Sequence, residues 1–331
     1  MSTAQQKTLE DFIQLQNRNA ISHAIRATVE LGVIDALREG QKSAEQLASQ
    51  LDVQPIELQR LLNVVVTTEL IEKYGDDYAL STLARLIPTR FYDFGDEHWK
   101  HLTAHVRTGT PLPKRDGIAL TDTDYSLNKA SEEWTLTPAA LTAIQALDIG
   151  NSRKGLNILE VNCGSAVFGA ALAHSDPSST ITLVDNEFEL QRAKTTVTSV
   201  GLEERVTYIQ TDTDSDLSQI AQLKNQTFNL VIVAGHLHRK SLEQCKALIK
   251  QLHDVMDVNN ELVLIDVFEG QEEGVLHRAI FELELGLRTS EGRLHDPRVL
   301  EAELKEAGFD QIQFAHLPTS PFYWGLILAQ A

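Results

Sequence analysis

From residue 156 onward the chain alternates between two hydrophobic rhythms. Short apolar runs predict strands at 157–161, 180–184, 206–210, 228–233 and 261–266. Between them, apolar residues recur at helical spacing and predict helices at 167–174, 187–200, 241–256, 274–286 and 297–307. Two last strand-like runs, 311–316 and 324–329, are joined across Pro318 and Pro321 and predict a closing hairpin. Regular alternation of strand and helix implies an α/β fold with a parallel, doubly wound sheet.

The first third follows a different pattern. Ile21, Ile25, Val29 and Leu37 share one helical stripe within 10–38, interrupted by a bend at 31–34. Ser43 stands before Ala44-Glu45-Gln46-Leu47, the arrangement of a capping box. Pro55 sits near the start of a helix that carries Leu58, Leu61, Leu62 and Val65. Two short strands, 70–74 and 77–80, then flank Gly75-Asp76. Helix, helix, hairpin is the winged-helix order. A polar stretch over about 111–138, with Pro111, Pro113 and Gly117, reads as a linker, followed by a helix over about 139–150. The expected organisation is therefore a mainly helical domain over 1–110, a linker and connecting helix over 111–150, and the α/β domain over 151–331.

Composition narrows the function classes. At 331 residues, with 42% hydrophobic and 23% charged residues, the chain can bury two cores without staples. Two cysteines, Cys163 and Cys245, give no disulfide framework, so a reducing cytoplasm is expected. No apolar run approaches the length of a membrane span, and no membrane partner is expected. A net charge of −18 opposes attraction to nucleic acid. The second helix of the winged-helix unit also lacks a basic face, with Glu57 and Gln59 against Arg60. Neither His236, His238 nor Cys245 has a second pair at metal-ligand spacing, so no metal is expected.

The chemistry is concentrated where strands end. The 157–161 strand presents Glu160 and then breaks into Asn162-Cys163-Gly164-Ser165-Ala166 before a helix. Such a turn sets backbone N–H groups and a helix N-terminus beside a crevice that suits a nucleotide-like ligand. Asp185 and Asp212 close the next two strands. Any one of these acids is an ordinary turn former, but three at successive strand ends form a pattern.

Residues 27–37, the span 43–87 with Arg60-Leu61-Leu62 and Tyr78-Ala79-Leu80-Ser81, and 101–111 resemble the small-molecule O-methyltransferases. These are the plant caffeate-type, acetylserotonin-type and bacterial polyketide-tailoring enzymes. The resemblance covers nearly the whole chain. It implies a class I methyltransferase sheet with a terminal antiparallel hairpin, preceded by a winged-helix dimerisation domain and hence a homodimer. It implies S-adenosylmethionine as cofactor, with Glu160 toward the methionine amino group, Asp185 toward the ribose hydroxyls and Asp212 toward the adenine amine. The family's turn runs acid, apolar, Gly, x, Gly, x, Gly. Here Asn162 and Ala166 replace the outer glycines, while Gly164 is kept.

After the fourth strand comes His236-Leu237-His238-Arg239-Lys240-Ser241-Leu242-Glu243-Gln244-Cys245. Alignment on Glu243 and Cys245 puts His238 on the family's base position and Asp266 on that of its orienting acid. Lys240 replaces the family's Trp, Leu242 replaces an acid, and none of Gly292-Arg293-Leu294, where the family's second acidic partner is expected, is an acid. The plain structural alternative makes His236 and His238 exposed loop residues and Asp266 a turn former. A nucleophilic Cys163 at the helix N-terminus is a further possibility by position. Phe281 and Trp99 are candidate acceptor walls, and Asp296-Pro297 is a helix N-terminus. The function expected is O-methylation of a small hydroxylated, aromatic acceptor. The alternatives are an inactive scaffold that has lost its cofactor turn, or a cofactor-binding relative with non-methylating chemistry.

Overall fold

The structure, a computed structural model, describes residues 3–86, 96–112, 122–212, 226–270, 274–319 and 323–331, with a few isolated positions between 213 and 225. The chain divides into two compact units, 1–99 with 119–131, and 100–118 with 132–331.

In the first unit, α1 (Thr3–Glu30) ends where Gly32 adopts φ 78°, and α2 (Val33–Arg38) follows. This is the bend expected at 31–34. β1 (Lys42–Ser43) leads into α3 (Ala44–Leu51). Ser43 Oγ accepts from Gln46 N–H at 3.3 Å while Gln46 Oε1 accepts from Ser43 N–H at 2.8 Å, so the capping box forms as the sequence predicts. α4 (Pro55–Val66) starts on its proline, and β2 (Ile71–Tyr74) and β3 (Asp77–Leu80) complete a sheet of order β1-β3-β2. Its core gathers Val33, Leu37, Leu47, Leu58, Leu62 and Tyr78.

Two helices follow, α5 (Asp96–Thr108) and α6 (Asp122–Ala146). The polar stretch expected to be linker as far as 138 is helical from Asp122, and Pro138 lies inside the helix. Between 122 and 137 there is neither Gly nor Pro to break a helix, and this outweighs the low hydrophobicity of the stretch. Ala139, Ala140 and Ala143 then bury the end of this helix in the core of the second unit.

That second unit is built on β4 (Asn157–Val161), β5 (Thr180–Asp185), β6 (Val206–Gln210), β7 (Leu230–Ala234), β8 (Glu261–Val267), β9 (Asp310–Leu317) and β10 (Trp324–Gln330). Their order is β6-β5-β4-β7-β8-β10-β9. The first five are parallel, and β10 runs antiparallel to both β8 and β9, giving the closing hairpin. The helices α7 (Val167–Ser175), α8 (Glu187–Ser199), α9 (Leu242–Asp254), α10 (Val275–Arg288) and α11 (Pro297–Ala307) fall where the periodicity puts them. β7 and β8 are almost wholly buried because both faces of the sheet are covered, which explains their unbroken apolar runs. Strand order reverses beside β4, between β5 and β7. Turns at the carboxyl ends of these strands therefore open on a crevice.

Candidate active site

The turn after β4 takes the left-handed backbone at three positions: Asn162 at φ 55°, Gly164 at φ 53° and Ala166 at φ 57°. The geometry of a glycine-rich turn is thus kept where two glycines are missing. Asn tolerates this region, whereas Ala pays for it with its Cβ. Asn162 N–H donates to Val184 O at 2.9 Å, which fastens the turn to β5. A Cβ at Gly164 would meet nothing within 4 Å, so the space above that residue is open to a ligand.

The three strand-end acids have different surroundings. Glu160 is fully buried beneath α7, and its Oε2 accepts from Gly169 N–H at 3.2 Å. Ala166, at the N-cap position, has no side chain to cap α7, so Glu160 serves one of its free N–H groups from the strand. Burial pushes its carboxyl up to about 8, against the Gly169 N–H and with help from Asp185. Asp185 is also buried; its Oδ2 accepts from Gly164 N–H at 2.9 Å and its Oδ1 from Asn186 N–H at 2.7 Å. Burial raises Asp185, opposed by those two N–H groups and by Arg239. Asp212 is exposed and lines a cavity of about 220 Å³ with Asn162, Val184, Leu217 and Lys240.

Among the sequence-predicted cofactor residues, Asn162 and Asp212 thus share one cavity. Gly164 and Asp185 are joined to each other, and Glu160 turns into the interior. Lys240, read from sequence only as a lost Trp, lines the cavity beside Asp212. The idea of an activated Cys163 is corrected. Burial, reinforced by Glu160, Asp185 and Glu189, pushes its thiol well up despite the neighbouring helix N-terminus.

The second cluster lies after β7. Gly235 adopts φ 64°, and a single 3-10 turn, Leu237–Arg239, carries His238. His238 is buried rather than exposed, and its Nδ1 lies 2.7 Å from Asp266 Oδ1. Asp266 is buried at the end of β8; its Oδ2 also accepts from His238 N–H at 3.1 Å, and its Oδ1 from Val267 N–H at 2.7 Å. Burial alone would raise Asp266, but His238 and these N–H groups hold it below the usual carboxylate range. An ionised Asp266 only accepts, so it keeps the proton on Nδ1 and leaves Nε2 as the basic nitrogen. Phe281 of α10 packs edge-on to the imidazole, with ring centroids 5.1 Å apart.

His236 is different. Burial, then Lys240 and Arg239, push it down to about 3, so it is neutral at physiological pH. Its Nε2 has no hydrogen-bond partner among the described residues. No group of three His, Cys, Asp or Glu side chains is placed to hold a metal among the described residues. No described helix is long and apolar enough to cross a membrane.

Comparison with known proteins agrees with this architecture. Residues 13–90 match the family of the O-methyltransferase dimerisation domain, and residues 122–273 match a family described as lysine methyltransferase. The chain is 23% identical over 328 residues, 90% of each chain, to the N,N-dimethyltransferase OxyT of Streptomyces rimosus. Its fold matches the mitomycin 7-O-methyltransferase MmcR with TM-score 0.76 at 19% identity, over 100% of both chains. It matches human N-acetylserotonin methyltransferase, solved with S-adenosylmethionine, with TM-score 0.74 at 18% identity, over 100% of this chain and 99% of that one. The lysine-methyltransferase match stops at residue 273, so it covers β4 to β8 and leaves the closing hairpin uncovered. With an O-methyltransferase dimerisation-domain match first and a methyltransferase match over the five parallel strands second, the chain is similar to the S-adenosylmethionine-dependent methyltransferases of the O-methyltransferase type and shares their fold.

Proposed function

We propose that the protein methylates a hydroxyl on a small aromatic acceptor, with His238 as general base and Asp266 as its orienting partner. The observation that carries this reading is the buried 2.7 Å contact between His238 Nδ1 and Asp266 Oδ1. A hydroxyl must lose its proton as it attacks, whereas a neutral amine already presents a lone pair. A fixed imidazole with a basic Nε2 is what the hydroxyl requires. Asp266 cannot shift far, because it also holds two backbone N–H groups of its surroundings.

The turn after β4 and Asp212 support the cofactor reading, whereas Glu160, expected toward the methionine amino group, turns into the interior. Gly164 leaves open space above its backbone, and Asp212 presents a carboxylate in the adjoining cavity. Asp212 and Asn162 would hold the adenine end, and Asp185, whose carboxylate has acceptor sites beyond those taken by Gly164 and Asn186, the ribose hydroxyls. Glu160 supports the turn from beneath through Gly169 N–H. When bound, S-adenosylmethionine supplies an electrophilic methyl group. The chain's contribution to rate is alignment of the acceptor oxygen, together with proton removal at Nε2.

A second reading is favoured by the relatives. OxyT is an N,N-dimethyltransferase, and RosA of Streptomyces davawensis, matched with TM-score 0.73 at 20% identity, is an N,N-8-amino-8-demethyl-D-riboflavin dimethyltransferase. An aromatic amine acceptor attacks with its own lone pair and sheds its proton only after transfer, so it would not need His238 as a base. A panel of phenols and matched anilines, read by mass for a gain of one methyl, separates the two. Methylation of phenols that is lost in His238→Gln supports the first reading. Aniline methylation indifferent to that substitution rejects it.

The assembly proposed is a homodimer through the first unit, in the cytoplasm. α1 leaves Leu9, Phe12, Ile13 and Leu15 exposed, an apolar surface that a second copy would cover. Light scattering should give twice the chain mass, falling to the chain mass when Phe12 and Ile13 are replaced by Asp.

A further inference from the structure

The turn that carries His238 is only three residues long, yet its backbone is held from outside on every side. Segment 292–295, more than fifty residues away in sequence, supplies most of that hold. His295 Nε2 lies 3.0 Å from Leu237 O and 3.1 Å from Lys240 O. Both carbonyls can only accept, so this nitrogen carries the proton and bridges the two ends of the turn. Arg293 N–H donates to His238 O at 2.9 Å. Gly292 passes so close that a Cβ there would stand 2.8 Å from the same oxygen.

The bridge is itself anchored. His295 is buried, and its carbonyl accepts from Glu269 N–H at 3.0 Å, just beyond β8. Cys245 Sγ lies 3.4 Å from His295 Nε2 and 3.6 Å from Leu237 O, to which its thiol donates. Burial pushes that thiol up to about 12, so it stays protonated and keeps donating. The carbonyls of Leu237, His238 and Lys240 are thus taken by the clasp, while Asp266 takes the N–H and the imidazole of His238.

We propose that His295 is a positioning residue: it holds the turn so that the His238 imidazole meets Asp266 in one orientation. The proposal rests on His238 being the base. It goes beyond the base and its acid by assigning their registration to a third side chain, one whose hydrogen bonds go to the backbone of the turn. Outer partners of this kind fix ring orientation and tautomer, and a loosely held turn would let the imidazole rotate away.

The test uses the full chain labelled with ¹⁵N-histidine. The Nδ1–H resonance of His238, identified by its loss in His238→Gln, reports the contact with Asp266 directly. Its exchange with solvent should quicken at least tenfold in His295→Leu. In His295→Gln, whose amide can reach both carbonyls, it should stay within threefold of the unaltered protein. If His295→Leu does not fold, His295→Asn, whose amide is too short to bridge, should show the same acceleration. Unchanged exchange in the folded Leu or Asn variant overturns the proposal, because a merely structural His295 would alter stability and leave this proton alone. Turnover with whichever phenol the panel selects should fall at least tenfold in the Leu variant, with the KM for S-adenosylmethionine within twofold. If His238→Gln turns over normally, the base reading fails and the proposal with it. If His238→Gln is inactive while His295→Leu matches the unaltered protein in both readouts, the proposal alone fails.

Discussion

The backbone N–H of Gly164 donates to Asp185 Oδ2 at 2.9 Å, so the turn after β4 is tied to the end of β5 by a charge-assisted bond. That bond spans the place where strand order reverses and where the cofactor of this fold belongs. It explains how the turn keeps its shape with one glycine instead of three. Asn162 N–H and Cys163 N–H converge on Val184 O from the same side. Strand-to-strand bonding dictates the backbone path, and the residues follow it at some cost.

The cost at Ala166 can be weighed. Its φ of 57° is worth about 1–2 kcal/mol of strain in a non-glycine residue. Glycine there would relieve that strain but lose a buried methyl, about 0.8 kcal/mol, and add backbone freedom in the unfolded chain, about 0.4–1 kcal/mol. The terms nearly cancel. Ala166→Gly should therefore leave the urea midpoint almost unmoved. With Asn162→Gly added, affinity for S-adenosylmethionine should change by less than about threefold, since the backbone already has the right form. A gain of a hundredfold by calorimetry would show instead that the native turn is a decayed one.

Gly169 is a glycine for a different reason. A Cβ on it would run into the Glu160 carboxylate of β4 and Ile181 Cδ1 of β5. Gly169→Ala should destabilise the protein by about 1–3 kcal/mol, the range for overpacking a tight core. Chemical denaturation gives the figure. No loss of stability would mean that Glu160 can swing clear.

Glu160 sets a pH dependence whose sign can be worked out. Its folded value is about 8, against about 4.3 in an unfolded chain. Between those values the folded state holds a proton that the unfolded state has released, so this residue's contribution to stability falls as pH rises from about 4.3 to about 8. Glu160→Gln keeps an acceptor for Gly169 N–H and removes the titration. The variant should match the unaltered protein near pH 5 and be more stable near pH 9, by an amount on the order of a few kcal/mol. Equal slopes of unfolding free energy against pH in the two proteins would show that Glu160 is ionised in the fold.

The frame was legible and the surroundings of the acids were not. Strands and helices of the second unit follow directly from the switch between apolar runs and helical spacing. Ser43, Pro55 and Asp296 marked helix starts because capping is decided within one turn of chain. The helix over 122–138 was missed because its apolar spacing is weak and prolines nearby suggested a linker. Strand-end position told where Glu160, Asp185 and Asp212 sit along the chain but not which way each side chain turns. A carboxylate beneath α7 and one on an open cavity look identical in sequence. His238 and Asp266 were paired only by resemblance, since a contact over 28 residues leaves no local signature. The clasp from His295 spans 55–58 residues and left none at all.

The dyad makes the prediction with the largest expected effect on turnover. His238→Gln removes the base and should lower turnover by about 10²–10⁴-fold. Asp266→Asn keeps the shape but lets the imidazole choose its tautomer, and should cost about 10–100-fold. Both variants should bind the cofactor as tightly as the unaltered protein, because neither residue lines the cavity at Asp212. Steady-state kinetics on the phenol found by the panel, with cofactor affinity measured separately, checks this. A weakened cofactor with normal turnover at saturation would move both residues from chemistry to binding.

The most direct test of the whole account is titration calorimetry of S-adenosylmethionine into the unaltered protein and into Asp212→Asn. A single saturable site per chain is expected, with affinity at least about tenfold weaker in the variant, the loss that removal of one charged hydrogen-bond partner brings. No heat at millimolar cofactor from folded protein, or identical affinities in the two proteins, would contradict it.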